Sequence, residues 1–253
     1  MADELKEIFR VHLGVVDSTN RYARDEAHSL KASAGNAAII AVTADNQTAG
    51  RGQRGNKWLS SGGENVLLTI LVEPHFLAPV RQFALSQAIA LAVRDAMQKY
   101  GIAVLLKWPN DIYVDKKKIA GMIFENKIEG NCIAESIVGF GINVNQTIFN
   151  SDAPNPTSLQ IELGHEVDRA VLLRKIIKHL PKMIEMVKGG KYNQLAFDYE
   201  RRLYALDKHH LYKDAEGHFK AQIHAIAEDG MLSLMDETGR VRHYYFNEVQ
   251  LIR

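Results

Sequence analysis

The chain has 253 residues, 46% of them hydrophobic, and a formal net charge of +1. That much apolar material supports a large core and excludes a disordered chain. The near-neutral balance excludes a global attraction to nucleic acid or anionic membrane, so any phosphate recognition must come from local clusters.

The opening Met1-Ala-Asp-Glu-Leu-Lys-Glu7 is acidic and lacks the basic and apolar regions of a signal peptide. An apolar run over 11–16 leads into Ser18-Thr-Asn20, three residue types that suit a helix N-cap. Tyr22, Ala23, Ala27 and Leu30 then recur at helical spacing, which predicts a helix from about 20 to 30. On the residues alone, capping is the favoured role of Ser18 and Thr19, with hydroxyls facing a ligand as the alternative. A buried strand follows over 37–43. Residues 45–58 then carry Gly50, Gly52 and Gly55 interleaved with Arg51, Arg54 and Lys57. Glycines let backbone amides approach an anion, and three cations supply opposite charge; an ordinary basic surface loop is the other reading. The spacing matches G-x-G-x-x-G, but residues 58–64 have two adjacent glycines and no helical period. A dinucleotide fold, which needs a helix there, is rejected.

A second strand is predicted over 66–72 and a scaffold helix over 80–100, stopped at Gly101. The next strand ends at Lys107, Pro109 breaks it, and Asn110 and Asp111 suit the turn. Turn residues 115–117 predict a hairpin into a strand over 119–124, so that Lys107, Asp111 and Lys118 converge near one end of a sheet. Lys116 and Lys117 read as a solvated tip. Lys118 adjoins Ala120-Gly121, where backbone can approach a ligand. A further strand over 131–145 carries Cys132, read as a plain buried thiol. Having only one cysteine in the chain fits a reducing cytoplasm. Gly139 and Gly141 lie inside this strand, where glycine marks close approach. Asn143 reads as a turn bridge in preference to a nucleotide contact. A loop with Pro154 and Pro156 leads to Asp168, the N-cap of a helix that Pro181 should kink or split. Another helix is predicted over 192–203. From about 205, turn signals at 215–217, 228–230 and 237–239 separate alternating runs, which predicts a small antiparallel barrel. The domains are thus 1–204 and 205–253. No apolar stretch approaches membrane-spanning length, and the histidines show no metal-ligand spacing.

Four segments together resemble the biotin protein ligases, the biotin–[acetyl-CoA-carboxylase] ligases: Asp17-Ser-Thr-Asn20, the basic loop from Gln47 to Trp58, Lys107-Trp-Pro-Asn-Asp111 through Lys118-Ile-Ala-Gly121, and Gly139-Phe-Gly-Ile-Asn143. The resemblance covers nearly the whole chain. It implies an α+β fold, a mixed sheet flanked by helices like the class II aminoacyl-tRNA synthetase core, with a C-terminal SH3-like barrel. It implies that biotin and MgATP form biotinyl-5′-AMP, and that a lysine of a biotin carboxyl carrier domain then takes the biotin. Ser18, Thr19, Asn20, Gln47, Gly50, Arg51, Gly52, Gln53, Lys118 and Gly121 match biotin-site positions. Arg51, Arg54, Trp58, Asn110, Lys118 and Asn143 match ATP-site positions. Lys118, Arg51, Asp111 and Lys107 are the catalytic candidates, and Mg²⁺ arrives with ATP, not on a protein site. Trp58 suits adenine stacking or core packing equally, and Asp111 suits either a base for the acceptor lysine or a structural turn. Gln53 stands where many relatives have arginine, which predicts faster escape of the adenylate. Only 17 residues precede Ser18, so a short form without a DNA-binding helix-turn-helix is expected. A cytoplasmic enzyme with no DNA or membrane partner follows, with a homodimer left open. The rivals are a lipoate–protein ligase, a non-catalytic biotin sensor and, with least support, a nucleic-acid binder.

Overall fold

The structure, a computed structural model, describes residues 8–149 and 155–252, except for the Arg54 side chain. The readings on residues 1–7 and on Pro154 lie outside the described residues. The chain runs β1 (Ile8–Val16), α1 (Thr19–Asp25), α2 (Ala27–Ala34), β2 (Ile39–Gln47), β3 (Val66–Val72), α3 (Gln82–Gln98), β4 (Val104–Lys107), β5 (Asp111–Val114), β6 (Lys117–Glu129) and β7 (Cys132–Ile142). It continues with α4 (Leu159–Leu163), α5 (Arg169–Lys188), α6 (Tyr192–Glu200), β8 (His210–Asp214), β9 (Gly217–Ile226), β10 (Leu232–Asp236), β11 (Val241–Tyr244) and β12 (Gln250–Leu251).

Strands β1 to β7 form one mixed sheet, ordered β1-β2-β3-β7-β6-β5-β4. The β1–β2 pair is parallel and every other pair is antiparallel. All seven residues of β3 are buried, as expected of a strand covered on both faces. Side chains alternate across a strand. Ile39, Ala41, Leu68 and Ile70 therefore pack toward the α3–α5–α6 layer, and Ile40, Val42 and Leu71 toward α1 and α2. Ile137 of β7 lies on the α1 side, and by parity Gly139 and Gly141 share its face. In register, Gly139 pairs with Thr69 and Ile123, and Gly141 pairs with Gly121.

Several expectations are corrected. The first helix is two, because the backbone at Glu26 (φ −99, ψ 12) leaves the α conformation, and Leu30 still reaches Ile40 and Leu71. Helix α5 runs unbroken through Pro181. Its buried stripe of Leu172, Ile176, Ile177, Leu180, Met183, Ile184 and Val187 continues on both sides of the proline. Burying each such side chain is worth about 1.5–3 kcal/mol, which outweighs the cost of about 3 kcal/mol for one internal proline. Helix α6 ends at Glu200, short of 203, because the next backbone groups pair with β4: Leu106 N–H donates to Arg202 O (2.8 Å) and Tyr204 N–H to Leu106 O (2.7 Å). Ser158 caps a short helix, α4, that periodicity missed. Cys132 is half-buried at the β6–β7 tip, its thiol donating to Glu129 O (3.4 Å). Asp168 caps α5 as expected, accepting from Ala170 and Val171 N–H.

Strands β8 to β12 form a separate antiparallel sheet ordered β11-β10-β9-β8-β12, the barrel-like unit that the turn signals predict. Phe219 stacks between Tyr212 (5.9 Å) and Tyr244 (6.1 Å). The unit docks on the larger one where Trp108 Nε1 donates to Gly230 O (2.9 Å) and Phe246 meets Trp108 and Phe83. No helix among the described residues is long and apolar enough to cross a membrane.

Candidate active site

A cleft of about 460 Å³, counting its open mouth, lies on the α1 face of the large sheet. Its floor is Gly121, Gly139 and Gly141. Glycine is required there by close approach. A Cβ on Gly139 would collide with Asn20 Oδ1, and one on Gly141 with the Trp58 indole. The cleft is therefore graded along β7, with Asn20 over Gly139 and Trp58 over Gly141. Two residues of strand separate them, about 7 Å, and Lys118 lies beyond, against Gly121.

The Asn20 end is an uncharged hydrogen-bonding pocket. Gln47 Oε1 accepts from Thr19 N–H (2.8 Å) and from the Thr19 hydroxyl (2.9 Å). The Thr69 hydroxyl lies 2.8 Å from Thr19 Oγ1 and 2.6 Å from Asn20 Oδ1. Asn20 is 3% exposed, yet its Nδ2 has no partner among the described residues. A buried donor left unsatisfied costs roughly 1–3 kcal/mol, so this amide is poised for an acceptor on a ligand. Ser18 occupies the N-cap position of α1, but its hydroxyl accepts no backbone N–H. The capping role favoured on sequence grounds is thus not what this side chain does.

The opposite end is charged. Lys118 Nζ lies 2.6 Å from Asp111 Oδ1, with both side chains largely buried, and 5.9 Å from the Trp58 ring centre. The buried Trp58 Nε1 also lacks a partner. The basic loop arches over the cleft as a tight hairpin: Gly52 N–H donates to Asn56 O (2.7 Å) and Trp58 N–H to Gly50 O (3.0 Å). Arg51 Nη1 lies 3.0 Å from Glu125 Oε1. Burial first, and the Asp111 carboxylate second, push the Tyr199 phenol well above its ordinary range, so it stays neutral beneath the site.

Residues 13–143, just over half of the chain, match the family model described as the biotin/lipoate A/B protein ligase family. The chain belongs to this family. The biotin protein ligase from Aquifex aeolicus in complex with biotin and ATP is similar over 97% of this chain and 99% of its own, at 27% identity and a TM-score of 0.80. The bifunctional ligase/repressor BirA of Escherichia coli is 33% identical over 176 residues, which are 69% of this chain and 53% of BirA. The biotin–[acetyl-CoA-carboxylase] ligase of Paracoccus denitrificans is 34% identical over 166 residues, 62% of this chain and 65% of that protein. The chain thus spans about half the length of the BirA relatives it matches.

Of the positions that resemble the biotin ligases, the fold brings Ser18, Thr19, Asn20, Gln47, Arg51, Gly52, Gln53, Trp58, Asn110, Lys118 and Gly121 to one cleft. Gly50 holds the loop's neck, and Asp111 reaches the cleft through Lys118. Two other positions, Asn143 and Lys107, lie elsewhere. Asn143 is buried behind the cleft with its amide on Thr157 O (2.9 Å), the bridging role favoured from the residue alone. Lys107 lies 3.3 Å from the Tyr113 hydroxyl and over that ring, away from the cleft lining, because Tyr113 faces it across the β4–β5 turn. The Arg54 side chain lies outside the described set. The cleft also takes Met122, Ile123 and Phe140, together with Thr69 behind Thr19, none of which sequence reading singled out. Only the two-residue spacing of Ile123 from Gly121 could have pointed to one of them.

Proposed function

We propose that this chain is a biotin–protein ligase. It joins biotin to ATP as biotinyl-5′-AMP, then passes the biotin to a lysine of a biotin carboxyl carrier domain. The observation that carries this reading is the grading of the cleft. A neutral donor–acceptor end (Ser18, Thr19, Asn20, Gln47) leads past apolar side chains (Ile123, Trp58) to the Lys118 ammonium. Biotin has the same order of groups: a cyclic urea, an apolar ring and chain, and a carboxylate. The biotin and ATP named with the Aquifex relative support the same ligands.

In this reading the urea oxygen accepts from Asn20 Nδ2 and the Ser18 hydroxyl, and the Thr19–Gln47 pair meets the urea N–H groups. Lys118 brings two anions together, the biotin carboxylate and the α-phosphate, by offsetting their repulsion. A carboxylate oxygen forms a bond to the α-phosphorus, the α–β phosphoanhydride bond breaks, and pyrophosphate leaves with the electron pair. Free N–H groups of Arg51 steady the phosphate, and Trp58 walls the cleft against water. The nucleotide enters as MgATP. In the second step a neutral lysine amine attacks the acyl carbon and AMP leaves. Asp111, held against Lys118, takes or orients the amine proton. Asn143 and Lys107 support the site from behind.

The test is the intact mass of a purified biotin carboxyl carrier domain after incubation with this protein, MgATP and either biotin or lipoate. A gain of one biotin, lost in Lys118→Ala, supports the reading. A gain with lipoate alone moves the chain to the other branch of its family. Tight biotin binding without any gain makes it a sensor.

A further inference from the structure

Among the described side chains of residues 51–57, Arg51 alone makes a polar contact outside the loop, and that contact is Glu125. The backbone bonds of residues 51–57 stay within the hairpin, and the loop's base is held separately by Thr48 and Ala49 and by Trp58 over Gly141. Glu125 pairs with Ile137 in register, two residues before Gly139, so parity puts its side chain on the face that carries the cleft. Its carboxylate is about a quarter exposed (26%). A second cation, Arg24 Nη1 of α1, stands 3.8 Å from the same oxygen. Glu125 Oε2 is buried with no partner among the described residues. A carboxylate beside a cleft built for anions works against ligand binding unless it has another task. Here it meets Arg51 at Nη1, and Arg51 lines the cleft. Fixing so flexible a side chain beforehand removes rotamer entropy from the cost of the binding step.

We propose that Glu125 is a positioning residue. By pairing with Arg51 and Arg24 it ties the basic loop to α1 and holds the loop over the cleft before ligand arrives. This deepens the ligase reading and rests on it for its catalytic consequence only.

The test compares wild type with Glu125→Gln, which keeps shape and removes charge, and with Glu125→Asp, which keeps charge and shortens reach. Hydrogen exchange at the Gly52, Asn56 and Trp58 amides, measured without substrate, reads the loop directly. Exchange in Glu125→Gln is expected to be faster on the order of 5-fold, as is the rise in KM for biotin, with kcat nearly unchanged. Wild-type exchange is expected to climb toward the variant's value between low and about 0.5 M salt, while the variant stays flat, because salt screens the ion pair. A merely structural glutamate would not produce that salt dependence. Glu125→Asp should fall between the two. Unchanged exchange and KM, or tighter biotin binding in Glu125→Gln, overturns the positioning role and leaves the ligase reading intact. A wild type that biotinylates nothing overturns the ligase reading instead, and the substrate-free exchange still decides Glu125.

Discussion

Lys118 Nζ lies 2.6 Å from Asp111 Oδ1, a contact created by the pairing of β5 with β6, which sets Asp111 opposite Gly121. The proposed chemistry gives the two residues separable roles. Lys118→Ala is expected to lower pyrophosphate release with biotin and ATP by about 10²–10³-fold, the usual cost of removing a charge-stabilising donor. Asp111→Asn should slow mass gain on the carrier domain more than it slows pyrophosphate release. Equal slowing of both steps would leave Asp111 as a structural partner of Lys118.

Gly141→Ala tests the cleft floor. The added methyl meets the Trp58 indole, so the ring must move from its place. Biotin affinity by calorimetry is expected to fall more than 10-fold, since a close-packed wall yields little to one extra carbon. Gly62→Ala, whose Cβ would meet only Asn46 side-chain atoms at 3.3 Å or more, is the control that should bind normally.

Thr19→Val keeps the shape and removes the hydroxyl that bonds Gln47 and lies beside Thr69. The lost hydrogen bonding is worth about 1–2 kcal/mol, or roughly 5- to 30-fold in the Kd for biotin. Desthiobiotin, which keeps the cyclic urea, should lose a similar factor.

Gln53 lines the cleft without a charge. Gln53→Arg adds a cation beside the adenylate's phosphate. Release of radiolabelled biotinyl-5′-AMP in the absence of carrier domain should slow in the variant. Identical escape rates in the two proteins would sink this idea.

The small sheet should be the acid-sensitive part. The Tyr244 hydroxyl, first, holds the Asp214 carboxyl below its ordinary 3.8, and the Thr238 hydroxyl does the same for Asp236. Tyr244 is itself pushed up to about 12, by burial first and the Asp214 bond second. A depressed carboxylate contributes stability above its unfolded value, and that stability is lost as pH falls through the folded value. The urea midpoint should therefore be level from neutral pH to about 5 and fall below about 4. Asp214→Asn should start from a lower midpoint and show a shallower acid slope.

The elements that were legible carried local signals. The runs that became β2, β3 and β7 are apolar enough to read as strands, Asp168 caps the helix its type predicts, and the turns after 205 bound strands where expected. Residues that line the cleft were nameable in advance through the resemblance, as with Ser18-Thr-Asn20, the basic loop and Lys118, whereas the residues alone favoured capping for Ser18 and Thr19, and Lys107 lies away from the cleft. Signals failed where a distant partner decided. Pro181 stayed inside a helix because its neighbours on both sides are buried, and α6 stopped early because β4 took the next backbone groups.

By itself, then, the sequence determined most of the strand and helix segments, the change to short strands after about 205, and where hydrogen-bonding and cationic side chains cluster along the chain. Only the tertiary structure decided which of them meet. Strand register sets Gly121, Gly139 and Gly141 on one face and so opens the floor of the cleft. It also aims Glu125 at Arg51 across more than seventy residues of chain and turns Asn143 and Lys107 toward Thr157 and Tyr113. The physical reason is that strand parity and pairing are set by burial on both faces of a sheet, a quantity that no single segment carries.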